Sequence, residues 1–187
     1  GATSVSDQML STFKHWVADQ PAGYFVEAKL AERDQRHARF GGTRYAVEPN
    51  VKDGKGGLRD LHTLFWISKY AYRLDHVRGV LGAGILRISE ARAFASSQRF
   101  LWTVRCFLHQ HHGREDDRLT FDAQMQLAPL MGFADRSGLR GVERFMKRYY
   151  LAARQVGNLT RIFCAALATD FDQRPRLSLR KLWVAGV

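Results

Sequence analysis

Apolar positions recur every three or four residues along much of this chain, and the breaks in that rhythm divide it into a series of helices. Leu10, Phe13 and Val17, with Met9 and Trp16 beside them, share one face of a helix that Ser4 or Ser6 can cap and Pro21 ends. A second helix is predicted from about Tyr24 to Phe40, polar on most faces and dense in charge, and Gly41-Gly42 stops it. Helical spacing resumes at Leu61, Leu64, Phe65, Ser68 and Tyr72, with Arg59 or Asp60 in the first turn. The three glycines among residues 77–84 allow only a short helix or a turn. Phe94, Leu101, Trp102, Arg105 and Leu108 then predict one long helix from an N-cap at Ser89 to about His112, closed by Gly113. Asp122 caps a short helix through Met131, disturbed by Pro129 and ended by Gly132. The last helix keeps its apolar stripe from Val142 through Phe145, Tyr149, Val156 and Phe163 to Leu167, roughly eight turns. The predicted fold class is all-α: a helical bundle with two long amphipathic helices.

One segment does not fit the helical rhythm. From Thr43 to Gly57, Tyr45 and Val47 alternate with polar residues, Pro49 forbids a regular helix, and Gly54, Gly56 and Gly57 lie close together. This predicts a glycine-rich extended loop that feeds directly into a helix start. Backbone N–H groups at such a junction, aided by the helix dipole, favour anions. Lys52, Lys55 and Arg59 add cations, and Asn50 adds an amide. Asn50, Lys52, Lys55, Gly56, Gly57 and Arg59 are therefore the candidate phosphate or substrate-binding residues. The loop is not a Walker A motif, because no Lys-Ser or Lys-Thr pair follows its second glycine, and it lacks the dinucleotide fingerprint's spacing. A plainer reading stands beside this one: the glycines supply unusual backbone angles and Asp60 caps a helix.

Composition narrows the setting. A chain of 187 residues, 45% hydrophobic, suits one domain with its own core. Residues 1–3 read as an expression scar or an excised boundary. Residues 171–187, basic with interleaved leucines, read as the start of a linker to a following domain. No stretch approaches 18 uninterrupted apolar residues, and no secretory signal is visible, so a cytoplasmic protein is expected. Cys106 and Cys164 sit in apolar helical patterns, where buried, reduced thiols are expected. The net charge of +11, from 29 Lys plus Arg against 18 Asp plus Glu, favours polyanions or nucleotides as partners.

The stretch Glu48-Pro49-Asn50-Val51-Lys52-Asp53-Gly54-Lys55-Gly56-Gly57-Leu58-Arg59-Asp60-Leu61, followed by Thr63-Leu64-Phe65-Trp66-Ile67, closely resembles the bacterial protein-PII uridylyltransferase and uridylyl-removing enzyme. The likeness continues through Gln98–Trp102, Asp116-Asp117-Arg118-Leu119-Thr120-Phe121-Asp122 and Val142–Tyr150, and so covers nearly the whole chain. The resemblance implies a nitrogen-signalling enzyme that attaches UMP to a tyrosine of the PII regulatory protein and removes it. The parent chain of that family joins a nucleotidyltransferase domain, a helical domain like this one, an HD hydrolase domain and two ACT domains. Only the helical part is present: the Gly-Ser motif with paired metal-binding aspartates, an HD pair and ACT sequences are absent. The fragment alone is therefore expected to be inactive, with no catalytic residue, no metal ligand and no cofactor of its own. UTP and magnesium or manganese are expected for the parent, with PII and the adjoining nucleotidyltransferase domain as partners.

Other groups of the chain offer competing chemistry. His109, His111 and His112 near Glu115, Asp116 and Asp117 resemble a metal set, but His111 and His112 lie on different helix faces. Glu48, Asp60, Asp116, Asp117 and Arg118 are read as structural or interdomain residues. Trp66, Trp102, Tyr149 and Tyr150 are expected to pack in the core, and Arg144, Lys147, Arg148 and Arg154 to form a solvated basic face. Two alternatives of other classes remain. A nucleic-acid-binding helical module would follow from the charge, although its basic residues are spread among acids. A purely structural linker domain would bind nothing.

Overall fold

A computed structural model describes residues 4–19, 22–72, 86–136 and 138–173. Among them the chain is all-α, as predicted: α1 (Val5–Asp19), α2 (Ala22–Arg39), α3 (Leu58–Ala71), α4 (Ile88–His112), α5 (Phe121–Leu130) and α6 (Gly141–Gln173). The reading of residues 77–84 and of the tail from 174 onwards lies outside the described residues. No described helix is long and apolar enough to cross a membrane.

The three-four spacing of the last helix explains the architecture. Phe145, Tyr149, Ala152, Ala153, Val156, Leu159 and Phe163 recur on one side of α6 and are all buried. This stripe is long enough to receive α3, α4 and α5, which pack against it, while α2 packs on α3. Leu61, Leu64 and Ile67 of α3, Leu101, Val104 and Leu108 of α4, and Ala123 and Leu127 of α5 close the core. Met9, Leu10 and Phe13 of α1 are exposed.

Two expected caps are corrected. The N-cap of α4 is Arg87, not Ser89, and its amide donates to the Glu90 carboxylate at 2.7 Å. The N-cap of α5 is Thr120, not Asp122, and its hydroxyl accepts from the Ala123 amide. Two tryptophans and one cysteine are corrected as well. Trp66 and Trp102 are 38% and 37% exposed, and Cys106 is also exposed. Each lies at the border of its helix's apolar stripe, where helical spacing alone does not separate core from rim. Tyr149 is buried, as expected, and Tyr150 is partly buried.

The loop between α2 and α3 buries Val51 fully and lies on α6 through Gly56. Gly56 has φ 83°, and a Cβ there would stand 2.6 Å from the Ala153 carbonyl oxygen in the middle of α6. Gly113 has a comparable φ of 63° but open space around it. Gly56→Ala combines backbone strain with overpacking and is expected to lower stability by about 3 kcal/mol or more. Gly113→Ala carries the strain alone, about 1 kcal/mol. Urea midpoints of the two variants check the difference, and equal losses would contradict the close approach.

Candidate functional site

The loop is built from its own side chains and amides. Asn50 turns it: its Oδ1 accepts from the Lys52 and Asp53 amides at 3.1 and 2.6 Å. Gly54 N–H donates to the Asn50 carbonyl at 3.0 Å, Gly57 N–H to Gly54, Leu58 N–H to Val51 and Arg59 N–H to Lys52. The far side is pinned to the segment between α4 and α5: Val51 N–H donates to Asp117 and Leu119 N–H to Pro49. The amide of Gly56 donates to Asp60 Oδ2 at 2.8 Å. Both glycine amides that sequence reasoning offered to an anion are thus engaged within the loop. What the loop presents outward is side chains.

Asp60 is the central acceptor. Besides the Gly56 amide it takes hydrogen bonds from Arg36 Nη2 and from His37 Nε2, which lies 2.9 Å from both carboxylate oxygens. Burial would raise this carboxyl, but the His37 hydrogen bond, the Gly56 amide and the Arg36 charge outweigh it and hold it below the ordinary carboxylate range. The helix-capping role considered for Asp60 is corrected: the N-cap of α3 is Gly57, with no side-chain cap, and Asp60 accepts instead from the Gly56 amide that precedes it. From the first turn of α3 its carboxylate also binds two side chains of α2.

A second cluster surrounds Asp117. Its Oδ1 accepts from Arg105 Nε at 2.7 Å and His109 Nε2 at 2.9 Å, and Lys52 Nζ lies 3.7 Å from Oδ2. Burial opposes ionisation there too, and the Arg105 and His109 hydrogen bonds hold the carboxyl low. Asp116 accepts from the Arg118 amide. Glu48 joins the loop to α5: Oε1 accepts from the Phe121 amide at 3.0 Å and Oε2 from Arg118 at 2.7 Å. Arg59 pairs with Asp53 at 3.2 Å, and Lys55 Nζ donates to the Gly42 carbonyl at 3.0 Å.

The candidate residues do not form one cluster. Lys52 turns toward Asp117 and Arg59 toward Asp53, whereas Asn50 and Lys55 line a cleft of about 250 Å³ with Arg44, Glu48 and Arg118. Arg36, His37, Arg44 and Arg105 escaped sequence reasoning as site residues. Arg36 and His37 lay inside a charge-dense helix that looked solvated, and no spacing links them to a carboxylate 24 and 23 positions away. No group of three His, Cys, Asp or Glu residues able to hold a metal occurs among the described residues.

The family model described as GlnD PII-uridylyltransferase matches residues 24–164. The chain is 55% identical over 158 residues to the bifunctional uridylyltransferase/uridylyl-removing enzyme of Azospirillum brasilense, covering 84% of this chain and 17% of that protein. It is 50% identical over 182 residues to the protein of the same name from Rhodospirillum rubrum, covering 97% and 19%. For that of Nitrobacter hamburgensis the identity is 52% over 167 residues, covering 89% and 18%. The chain thus spans less than a fifth of the length of these relatives. No solved structure matches.

The Asp60 cluster makes a pH-dependent prediction. Its carboxyl titrates lower in the folded chain than in the unfolded one, near 3.9. Its stabilisation is therefore present above that value and lost as pH falls through the folded pKa. Asp60→Asn is expected to cost about 3 kcal/mol at pH 7, because Arg36 is left without its buried partner. The variant should also show a shallower loss of stability below about pH 4. Denaturant midpoints from pH 7 to 3 measure both, and parallel curves for the two proteins would refute the assignment.

Proposed function

This chain belongs to the GlnD PII-uridylyltransferase family, and we propose that it serves there as the helical substrate-binding and bracing domain of a longer bifunctional enzyme. That enzyme transfers UMP from UTP to the PII regulatory protein and removes it again. The observation that carries this reading is the loop itself: a rigid element of an otherwise helical chain from which Lys52, Lys55 and Arg59 project. Each cation is partly exposed and held by a single carbonyl or carboxylate. A phosphate can compete with such partners, since charge-assisted bonds from Lys and Arg to phosphate are among the stronger ones. In this proposal the loop is one wall of a site completed by the nucleotidyltransferase domain, and its cations hold nucleotide phosphate or the PII segment to be modified.

The magnesium or manganese expected for the parent does not fit the described carboxylates. Asp53, Asp60 and Asp117 are each engaged by an arginine, and a metal would have to displace it. The proposal therefore gives these carboxylates no metal and assigns this chain no catalytic step. Metal-bound carboxylates that neutralise phosphate and align an attacking hydroxyl belong, in this reading, to the adjoining domain. The fragment alone is inactive.

One observation favours the structural-linker reading: the amides of Gly54, Gly56 and Gly57 are all engaged in holding the loop's own shape. The two readings separate in the parent enzyme carrying Lys55→Ala and Arg59→Ala. The substrate-site reading expects transferase kcat/KM for UTP to fall at least about tenfold, with an unchanged melting temperature. Unchanged nucleotide affinity and transferase rate would leave the linker reading standing.

A further inference from the structure

Arg44 follows the glycine stop of α2, and its side chain lies across the middle of α6. It does so because position 157 is glycine: a Cβ there would overlap the Arg44 Nε and Cζ atoms. Glycine inside a helix is disfavoured by about 1 kcal/mol relative to alanine, so this seat for a guanidinium has a cost that nothing in the packing of α6 itself requires. The seated arginine is also unbalanced. Its Nε is buried with no hydrogen-bond partner, and no ion pair of Arg44 occurs among the described residues. A guanidinium nitrogen shielded from water and given no acceptor is unfavourable, and the rest of this half-buried group carries its charge with no carboxylate beside it.

The surroundings favour that anion. Arg44 lines the cleft of about 250 Å³ together with Lys55, Arg118, Asn50 and Glu48. Glu48 is the one carboxylate among the lining residues, and it is already joined to Arg118 and to the Phe121 amide. Lys55 is held only by the Gly42 carbonyl. Two cations of the cleft, Arg44 and Lys55, therefore face it without a carboxylate. The cleft is smaller than the roughly 300–1,000 Å³ of sites that enclose whole drug-sized ligands, and its size suits a phosphate group or short phosphate chain.

We infer that this cleft is a phosphate-binding site of the chain itself, with Arg44 as its principal ligand and Lys55 as the second. The guanidinium would give a phosphate two parallel N–H bonds, and the ammonium would supply a second positive charge in the same cleft. The site shares Lys55 with the proposed substrate wall but does not depend on uridylyl transfer, so it is read by binding alone.

Titration of this chain with tripolyphosphate at low salt is the test. Millimolar or tighter binding is expected, weakening as sodium chloride is added. Arg44→Gln should weaken it at least about tenfold. Gly157→Ala keeps every charge but displaces the guanidinium, and it should weaken binding likewise. Arg114→Gln, which removes a cation 76% exposed outside the cleft, should not. Circular dichroism establishes that each variant is folded, and if Arg44→Gln is not, Gly157→Ala decides. No binding to the unaltered chain, or equal binding by a folded Arg44→Gln or Gly157→Ala variant, overturns the inference. Either result leaves the activity test of Lys55 and Arg59 in the parent enzyme untouched, so the two ideas fail separately.

Discussion

The Asp60 carboxylate is 2% exposed, and donors from two parts of the chain converge on it: the Gly56 amide from the loop, and Arg36 and His37 from α2. A charge taken this far from water is tolerable only when its acceptor sites are filled. The requirement acts in both directions. α2 is held against α3 because Asp60 needs its donors, Arg36 and His37, and the loop is held in its tight curve because Asp60 needs the Gly56 amide. Gly56 in turn lies on the Ala153 carbonyl of α6. One ionised group thereby fixes the position of the loop relative to the three helices around it.

The same rule organises the charge of the chain. A net charge of +11 suggests a surface of loose cations, yet many of the basic residues near the loop are gathered around few carboxylates. Asp60 takes Arg36 and His37, Asp117 takes Arg105, His109 and more distantly Lys52, and Glu48 takes Arg118. Partly buried pairs of this kind hold elements in register more than they add stability. Among the cations that line the cleft beside the loop, Arg118 has a carboxylate, and Arg44 and Lys55 stand apart because neither has one.

Much of the fold was legible because period is a local property. The buried positions of α6 from Phe145 to Phe163 follow directly from three-four spacing, and Gly41, Gly113 and Gly132 end helices with positive φ as glycine at those positions implies. Caps were less legible. Ser89 and Asp122 are better capping residues by type than Arg87, but a cap is chosen by where the backbone leaves the helix, and in both cases that is two residues earlier. The motif from Asn50 to Asp60 stood out, but its chemistry was read outward when much of it points inward. The missing information was tertiary: which distant side-chain donors meet Asp60 and Asp117, and which backbone presses on Gly56.

That inward chemistry changes what a glycine-rich loop at a helix start implies. In a phosphate-cradling loop the glycines leave amides free to face the ligand. Here Gly54 and Gly57 fit against carbonyl oxygens of the loop, and the amides at the start of α3 donate to Val51, Lys52 and Gly57. The macrodipole of α3 is therefore answered from within, and any anion must be recognised by side chains extending from a closed frame. Such a frame has little freedom to lose when a ligand binds, so an ionic contact to Lys52, Lys55 or Arg59 is not weakened by ordering the backbone beneath it. The rigidity that makes the loop look purely structural is also what a substrate wall requires.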